Sequence, residues 1–231
     1  YEPSNQQEAY DMVYNGFAFS EKIGEPVLMR MVTRLAHSRS GVEQKPQQPQ
    51  NQMSFSEDPR QFILLPGNAR KRYKVLLERQ AEFIEASENS SYNKYTDGPN
   101  KKLGIIACGI GYNYLMENYP DGCEYPVLKI GQYPLPKKQL LQLVENCDEI
   151  LVLEDGQPFV EKQLKGYLGI GVKVKGRLDG TLSQDGELNP DKVARAVGKE
   201  NKSEFGIPSL VEMRPPALCE GCGHRDMYTT L

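Results

Sequence analysis

Short unbroken apolar runs alternate, in the middle of this chain, with stretches where apolar residues return every three or four positions. Residues 103–108 (LGIIAC), 127–130 (VLKI) and 150–153 (ILVL) are the short runs. A strand covered on both faces of a parallel sheet shows no polar alternation, and each connecting helix keeps one apolar stripe. The pattern therefore predicts an α/β domain over residues 103–198, with these three runs as adjacent parallel strands. Residues 157–167 follow as a helix with Phe159, Val160, Leu164 and Tyr167 inward. Residues 172–178 (VKVKGRL) alternate cleanly, which predicts an edge strand with one face in water. Asn189-Pro190 supplies a cap and a first-turn proline for a short helix ending at Gly198.

Upstream, Ser4 followed by Gln7 has the form of a capping box. It predicts a helix with Ala9, Met12, Val13, Phe17 and Ser20 on one face, ending near Gly24. Residues 26–32 (PVLMRMV) read as a strand. One helix and one strand bury no core, so residues 1–42 must pack on the central domain or on neighbours outside this sequence. Residues 43–59 are rich in Gln and Pro and read as a linker. Residues 62–65 look extended. A charged helix over residues 68–87 then turns Tyr73, Leu76, Leu77, Gln80, Phe83 and Ile84 inward.

Composition removes several function classes. Lys plus Arg number 28 and Asp plus Glu 31, a net charge of −3, so no broad basic surface points to nucleic acid. No apolar run has the length of a membrane span. Five cysteines, an odd number at low density, are expected of a reducing cytoplasm. The chain opens on Tyr1 and closes on Leu231 without polar tails, as expected of a segment of a longer protein.

Gly109-Ile110-Gly111 invites comparison with a dinucleotide fingerprint. That motif needs a third glycine and an acidic residue about 20 positions on. Tyr114 stands at the third position, and no carboxylate follows the second run, so the glycines read as a tight strand-to-helix turn. Glu154 and Asp155 end the third run and read as a solvated strand end or a helix N-terminal anion. His37, between Arg34 and Arg39, reads as a surface histidine. The most specific stretch is PPALCEGCGHR near the C-terminus. Cys219 and Cys222, spaced CxxC, can grip one metal, but a lone pair is half a site. Cys108 is expected inside its strand, Cys123 in a turn and Cys147 near a helix end.

PPALCEGCGHRDMY resembles the opening of the thiamine-diphosphate-binding domain in the alpha subunit of indolepyruvate:ferredoxin oxidoreductase. Residues 3–39 are similar to the end of that subunit's pyrimidine-binding domain. GIIACGIGYNYLMENY and LVLEDGQPFVEKQLKGYLG resemble its middle domain, itself related to the transketolase C-terminal domain. The resemblance implies a three-layer, mostly parallel α/β fold with flanking partial segments. Its division would be residues 1–42 (end of the pyrimidine-binding domain), 43–66 (linker), 67–200 (central domain) and 201–231 (start of the thiamine-diphosphate-binding domain). It implies oxidative decarboxylation of aryl pyruvates to aryl-acetyl-CoA, with a beta subunit and ferredoxin as partners. Thiamine diphosphate, magnesium, iron–sulfur clusters and coenzyme A would serve the whole enzyme. Cys219 and Cys222 would be cluster ligands and His224 would lie near thiamine. The Gly-Asp-Gly motif for magnesium and diphosphate is not in this sequence, and the activating glutamate would lie upstream of Tyr1. The segment itself is thus expected to be silent, with no catalytic residue and no cofactor. A pyruvate- or oxoglutarate-type relative, or a non-catalytic α/β interaction module, are the alternatives.

Overall fold

The three apolar runs are strands, adjacent and parallel, as their pattern predicts. The computed structural model describes residues 1–52, 56–167, 173–183, 187–199, 209–211 and 218–230. Residues 1–200 form one compact unit and residues 201–231 a second. In the first unit come α1 (Gln6–Ile23), α2 (Thr33–His37), a 3-10 turn (Pro59–Gln61), α3 (Pro66–Glu78) and α4 (Gln80–Glu88). β1 (Lys94–Thr96), β2 (Leu103–Cys108), α5 (Ile110–Asn118), β3 (Val127–Ile130) and α6 (Lys137–Asn146) follow. β4 (Glu149–Leu153), α7 (Phe159–Tyr167), β5 (Lys173–Lys175) and α8 (Pro190–Ala196) complete it. The second unit carries α9 (Gly223–Thr230).

The sheet order is β1-β3-β2-β4-β5. β2 lies at its centre, with Ile106 paired to Leu128 on one side and Val152 on the other. All but β1 run parallel to their neighbours; β1 is antiparallel to β3. Successive residues of β2 feed opposite faces. Ile105 and Ala107 pack with Tyr114 and Leu115 of α5 and Val193 of α8. Ile106 and Cys108 pack with Leu140 and Leu143 of α6 and Val160 and Leu164 of α7. Helices on both faces make three layers. Each fully buried aliphatic chain contributes about 1.5–3 kcal/mol against exposure, and the two clusters hold most of the buried apolar surface.

β5 is the edge strand, shorter than the alternating pattern suggests. Lys173 and Lys175 both reach Glu149, at 2.9 and 2.5 Å, while Val174 faces the core. After Lys175 the chain turns, with Gly176 N–H donating to Asp179 at 2.9 Å. Residue 172 and the side chain of Tyr167 lie outside what is described.

Four upstream expectations need correction. Asn5, not Ser4, caps α1, accepting from Glu8 N–H at 2.9 Å, while Glu8 returns to the Ser4 N–H and hydroxyl at 2.9 and 2.7 Å. Within α1 only Met12 and Gly16 are buried; Val13 and Phe17 are 46 % and 72 % exposed. The helix meets the sheet through Met12, which packs at Gly131, and through an ion pair between Glu8 and the buried Lys129, so only part of the apolar stripe faces inward. Residues 26–32 join no sheet, because their backbone pairs with residue 1 rather than with a strand: Arg30 N–H donates to the Tyr1 carbonyl and Tyr1 N to the Leu28 carbonyl. Extended propensity without a ladder partner leaves no strand. The helix expected over residues 68–87 is two helices, broken at Arg79, and α3 buries nothing. Arg79 turns its guanidinium to the Ile23 carbonyl at the end of α1 and to Glu25.

Residues 43–51 bury no core but do not hang free. Lys45 N–H donates to the Tyr10 hydroxyl at 2.9 Å, the Tyr14 hydroxyl to the Pro46 carbonyl at 2.7 Å, and Lys45 pairs with Asp11. The segment runs along α1.

Gly111 shows why the GIG turn needs glycine. A Cβ there would lie 2.7 Å from the Leu153 carbonyl oxygen, so α5 crosses the end of β4 at backbone contact. Gly111→Ala should cost about 1–3 kcal/mol in urea unfolding. Gly41→Ala, with nothing within 4 Å of the added methyl, should stay within about 0.5 kcal/mol of the parent.

Candidate functional site

Open α/β sheets bind ligands where the strand order reverses, outside the carboxyl ends of the strands. Here the chain leaves β2 for β3 on one side and returns to β4 on the other, so the crevice lies between β2 and β4. The residues after those strands, Gly109 and Glu154 to Gly156, edge it.

The chain's own Glu2 enters this crevice. Gly109 has a left-handed φ of 48°, and a Cβ on it would come within 2.6 Å of Glu2 Cγ. Glu2 is buried; its N–H donates to the Gly131 carbonyl at 2.7 Å. Its carboxylate accepts from the Tyr133 hydroxyl at 2.7 Å and from Arg30. The other terminal nitrogen of Arg30 donates to the Asp155 carbonyl at 2.6 Å. The acidic pair that ends β4 is tied down as well. Glu154 accepts the N–H groups of Phe159, Val160 and Glu161 at 2.9, 2.8 and 3.1 Å, the open N-terminus of α7. Asp155 accepts from Leu188 N–H at 3.0 Å and lies 3.7 Å from Arg177, which is 2 % exposed. Arg177 also donates to the carbonyls of Glu154 and Ser183.

Burial pushes the Glu154 carboxyl above its usual range, with the three N–H bonds opposing. Burial likewise drives the Tyr133 phenol and the Cys108 thiol well up. Tyr133 and Cys108 hold their protons near neutral pH, and Glu154 already accepts three backbone N–H groups. The cluster is a clamp. Of the two readings of Glu154, the helix N-terminal anion is the one found.

The sequence-predicted ligands lie in the second unit. Cys219 is exposed and Cys222 half-buried, and Cys222 Sγ stands 3.3 Å from His224 Nδ1 at the start of α9. Cys222 N–H donates to the Cys219 carbonyl at 3.2 Å, closing the loop. Among the described residues no group of three or more His, Cys, Asp or Glu is arranged for a metal. Two thiols and one imidazole do not fit a four-iron cluster, which takes four ligands. Cys108 is buried in β2, and Cys123 and Cys147 are half-buried. His37 ends α2 at the surface.

Sequence reasoning missed Glu2, Arg30 and Arg177. Arg30 did leave a signal, a cation inside an apolar run. Arg177 left none, because alternation places it on the watered face and only the turn at Gly176 buries it.

Three outcomes follow from this geometry. Arg177→Met leaves Asp155 buried without its cation and should cost about 3–5 kcal/mol in chemical denaturation. Arg34→Met, at the exposed 2.8 Å pair with Glu187, should cost under about 1 kcal/mol. Iodoacetamide on the native protein, read by mass spectrometry, should label Cys219 first and leave Cys108 unmodified until denaturant is added.

No family model matches the chain. Indolepyruvate oxidoreductase subunit IorA of Methanothermobacter thermautotrophicus is 33 % identical over 98 % of this chain and 38 % of its own length. The subunit of the same name from Methanothermobacter marburgensis is 34 % identical over the same shares, and that of Pyrococcus abyssi 31 % over 100 % and 39 %. A 2-oxoglutarate:ferredoxin oxidoreductase from Magnetococcus marinus aligns with 59 % of this chain and 24 % of its own at 14 % identity, with a TM-score of 0.41. No helix among the described residues is long and apolar enough to cross a membrane. The chain spans about two fifths of the length of the curated relatives it matches. Over nearly all of its own length it resembles one stretch of the IorA subunit of indolepyruvate oxidoreductase.

Proposed function

We propose that this chain is the central segment of the alpha subunit of a cytoplasmic aryl-pyruvate:ferredoxin oxidoreductase, and that it holds the assembly together rather than performing chemistry. The observation that carries the reading is the similarity to IorA, which takes in 98 % of the chain. The clamp supports it: the crevice where an α/β sheet would take a ligand holds the chain's own Glu2. Residues 1–42 are assigned to the end of the pyrimidine-binding domain, 43–66 to a linker, 67–200 to the central domain and 201–231 to the start of the thiamine-diphosphate-binding domain. In the whole enzyme, thiamine diphosphate with magnesium supplies the nucleophilic carbanion and electron sink that decarboxylation of a 2-oxo acid requires. Coenzyme A would be the acyl acceptor, and iron–sulfur clusters would be the electron route to ferredoxin. A beta subunit completes the assembly. His224 is assigned a place beside thiamine diphosphate. Cys219 and Cys222 would serve a cluster only with ligands from elsewhere.

The test has two arms. The complete alpha subunit with its beta partner should reduce ferredoxin when given indolepyruvate and coenzyme A, and do so faster than with pyruvate or 2-oxoglutarate. Preference for either small oxo acid would move the protein to the other branch of the same chemistry. The 231-residue chain alone should give no magnesium-dependent thiamine diphosphate binding in calorimetry and no visible absorbance after anaerobic treatment with iron and sulfide. Stoichiometric binding, or a brown product bleached by Cys219→Ser with Cys222→Ser, would show the segment to be an active centre in its own right.

A further inference from the structure

Beside the clamp the first unit holds a cavity of about 910 Å³. Its floor is the clamp itself, Glu2, Arg30, Tyr133 and Glu154. Its walls come from the end of α1 (Phe19, Ile23), from α3 and α4 (Leu76, Phe83) and from the start of α7 (Phe159). Leu28 and Phe159 at the lining are 83 % and 59 % exposed, so apolar surface continues out to solvent. The Tyr133 and Phe159 rings meet edge to face, 6.0 Å between centroids at 69°. A mostly apolar, aromatic lining with a few polar groups at one end, in a volume of several hundred Å³, is the make-up of a small-molecule site.

The charges decide what kind of molecule. Glu2 is held by Arg30 and Tyr133, and Arg30 gives its other terminal nitrogen to the Asp155 carbonyl. Glu25 pairs with Arg79 at 3.3 Å, and Glu154 accepts three backbone N–H groups. Every charged side chain lining the cavity therefore has a partner already. A charged ligand would find no unpaired side chain of opposite charge, and the Tyr1 ammonium, also at the lining, already donates to the Leu28 carbonyl, so no side-chain ion pair would offset the cost of taking the charge out of water. We propose that this cavity binds an uncharged aromatic small molecule, its ring held among Phe19, Phe83, Tyr133 and Phe159. A 2-oxo acid is an anion, so this ligand is distinct from the substrate considered above, and the site stands or falls separately from that reading.

The test uses two naphthalene dyes of similar shape on the whole 231-residue chain. Neutral N-phenyl-1-naphthylamine should bind saturably, with one site and a blue-shifted emission. Anionic 1-anilinonaphthalene-8-sulfonate should bind at least about tenfold more weakly to the chain with its N-terminal amine acetylated, because its sulfonate then finds no unpaired cation. Leu28→Asp and Phe159→Asp, both at exposed positions that leave the fold intact, should each weaken the neutral dye by about tenfold or more. Tyr73→Asp, on the exposed face of α3 outside the cavity, should change nothing. Equal affinity for the two dyes, no saturation, or binding indifferent to Leu28→Asp and Phe159→Asp would overturn the proposal. So would loss of the site when the complete alpha subunit is tested, which would show that protein, not a small molecule, fills it.

Discussion

The carboxylates at the carboxyl ends of the parallel strands are the constraint on how the segments around the sheet attach to it. Glu2, Glu154 and Asp155 are all buried, at 4 %, 4 % and 9 % exposure. A buried carboxylate is tolerated only where cations or several N–H donors surround it. Arg30, Arg177 and the first turn of α7 meet that need, and each ties a distant segment to the same place. Residues 1–4 are fixed to the loop after β3, residue 30 to the end of β4, and the loop after β5 to both members of the Glu154–Asp155 pair. Because a buried charge left alone costs more than a matched pair contributes, these ties act less as a source of stability than as a condition on which arrangement is allowed.

That distinction explains what could be read from the sequence. The apolar cores of β2, β3 and β4 were legible because burial on both faces erases polar alternation, and the order of the runs fixed helices between them. The cap at Asn189 and the end of α1 at Gly24 were legible because one residue settles each. The exposure of Val13 and Phe17 on α1 was not, since the helix meets the sheet through Met12 and through Glu8 paired with Lys129, a lysine lodged within an otherwise apolar strand. Nor was the fate of residues 26–32, which carry strand propensity but find only Tyr1 to pair with. The break at Arg79 likewise depends on the end of another helix. In each case the deciding partner is remote in sequence, while local pattern carries only local preference.

The Gly109-Ile110-Gly111 turn shows how one motif serves two different demands. In a dinucleotide fold the glycines let a pyrophosphate approach the backbone. Here Gly111 lets α5 approach the backbone of β4, and Gly109 makes room for the side chain of Glu2. The position that could hold a ligand's negative charge near the start of a helix holds the protein's own carboxylate. The proposed supporting role rests on this: the crevice is occupied by the chain's own N-terminal segment.

The attachment is also separable from the core. Both apolar clusters of the sheet are complete without residues 1–31, which contribute to neither. The contact from Arg30 to the Asp155 carbonyl spans 125 positions, so it closes a long loop and gains nothing until the sheet has formed. The sheet can therefore exist before the clamp, whereas the clamp has no floor without the sheet. The aromatic cavity follows the same dependence: Glu2, Arg30 and Tyr133 make its base, so whatever loosens the N-terminal segment also opens the cavity. Attachment of the flanking segment and shape of the cavity are thus set by one cluster of charges, while the fold beneath them is set by apolar burial.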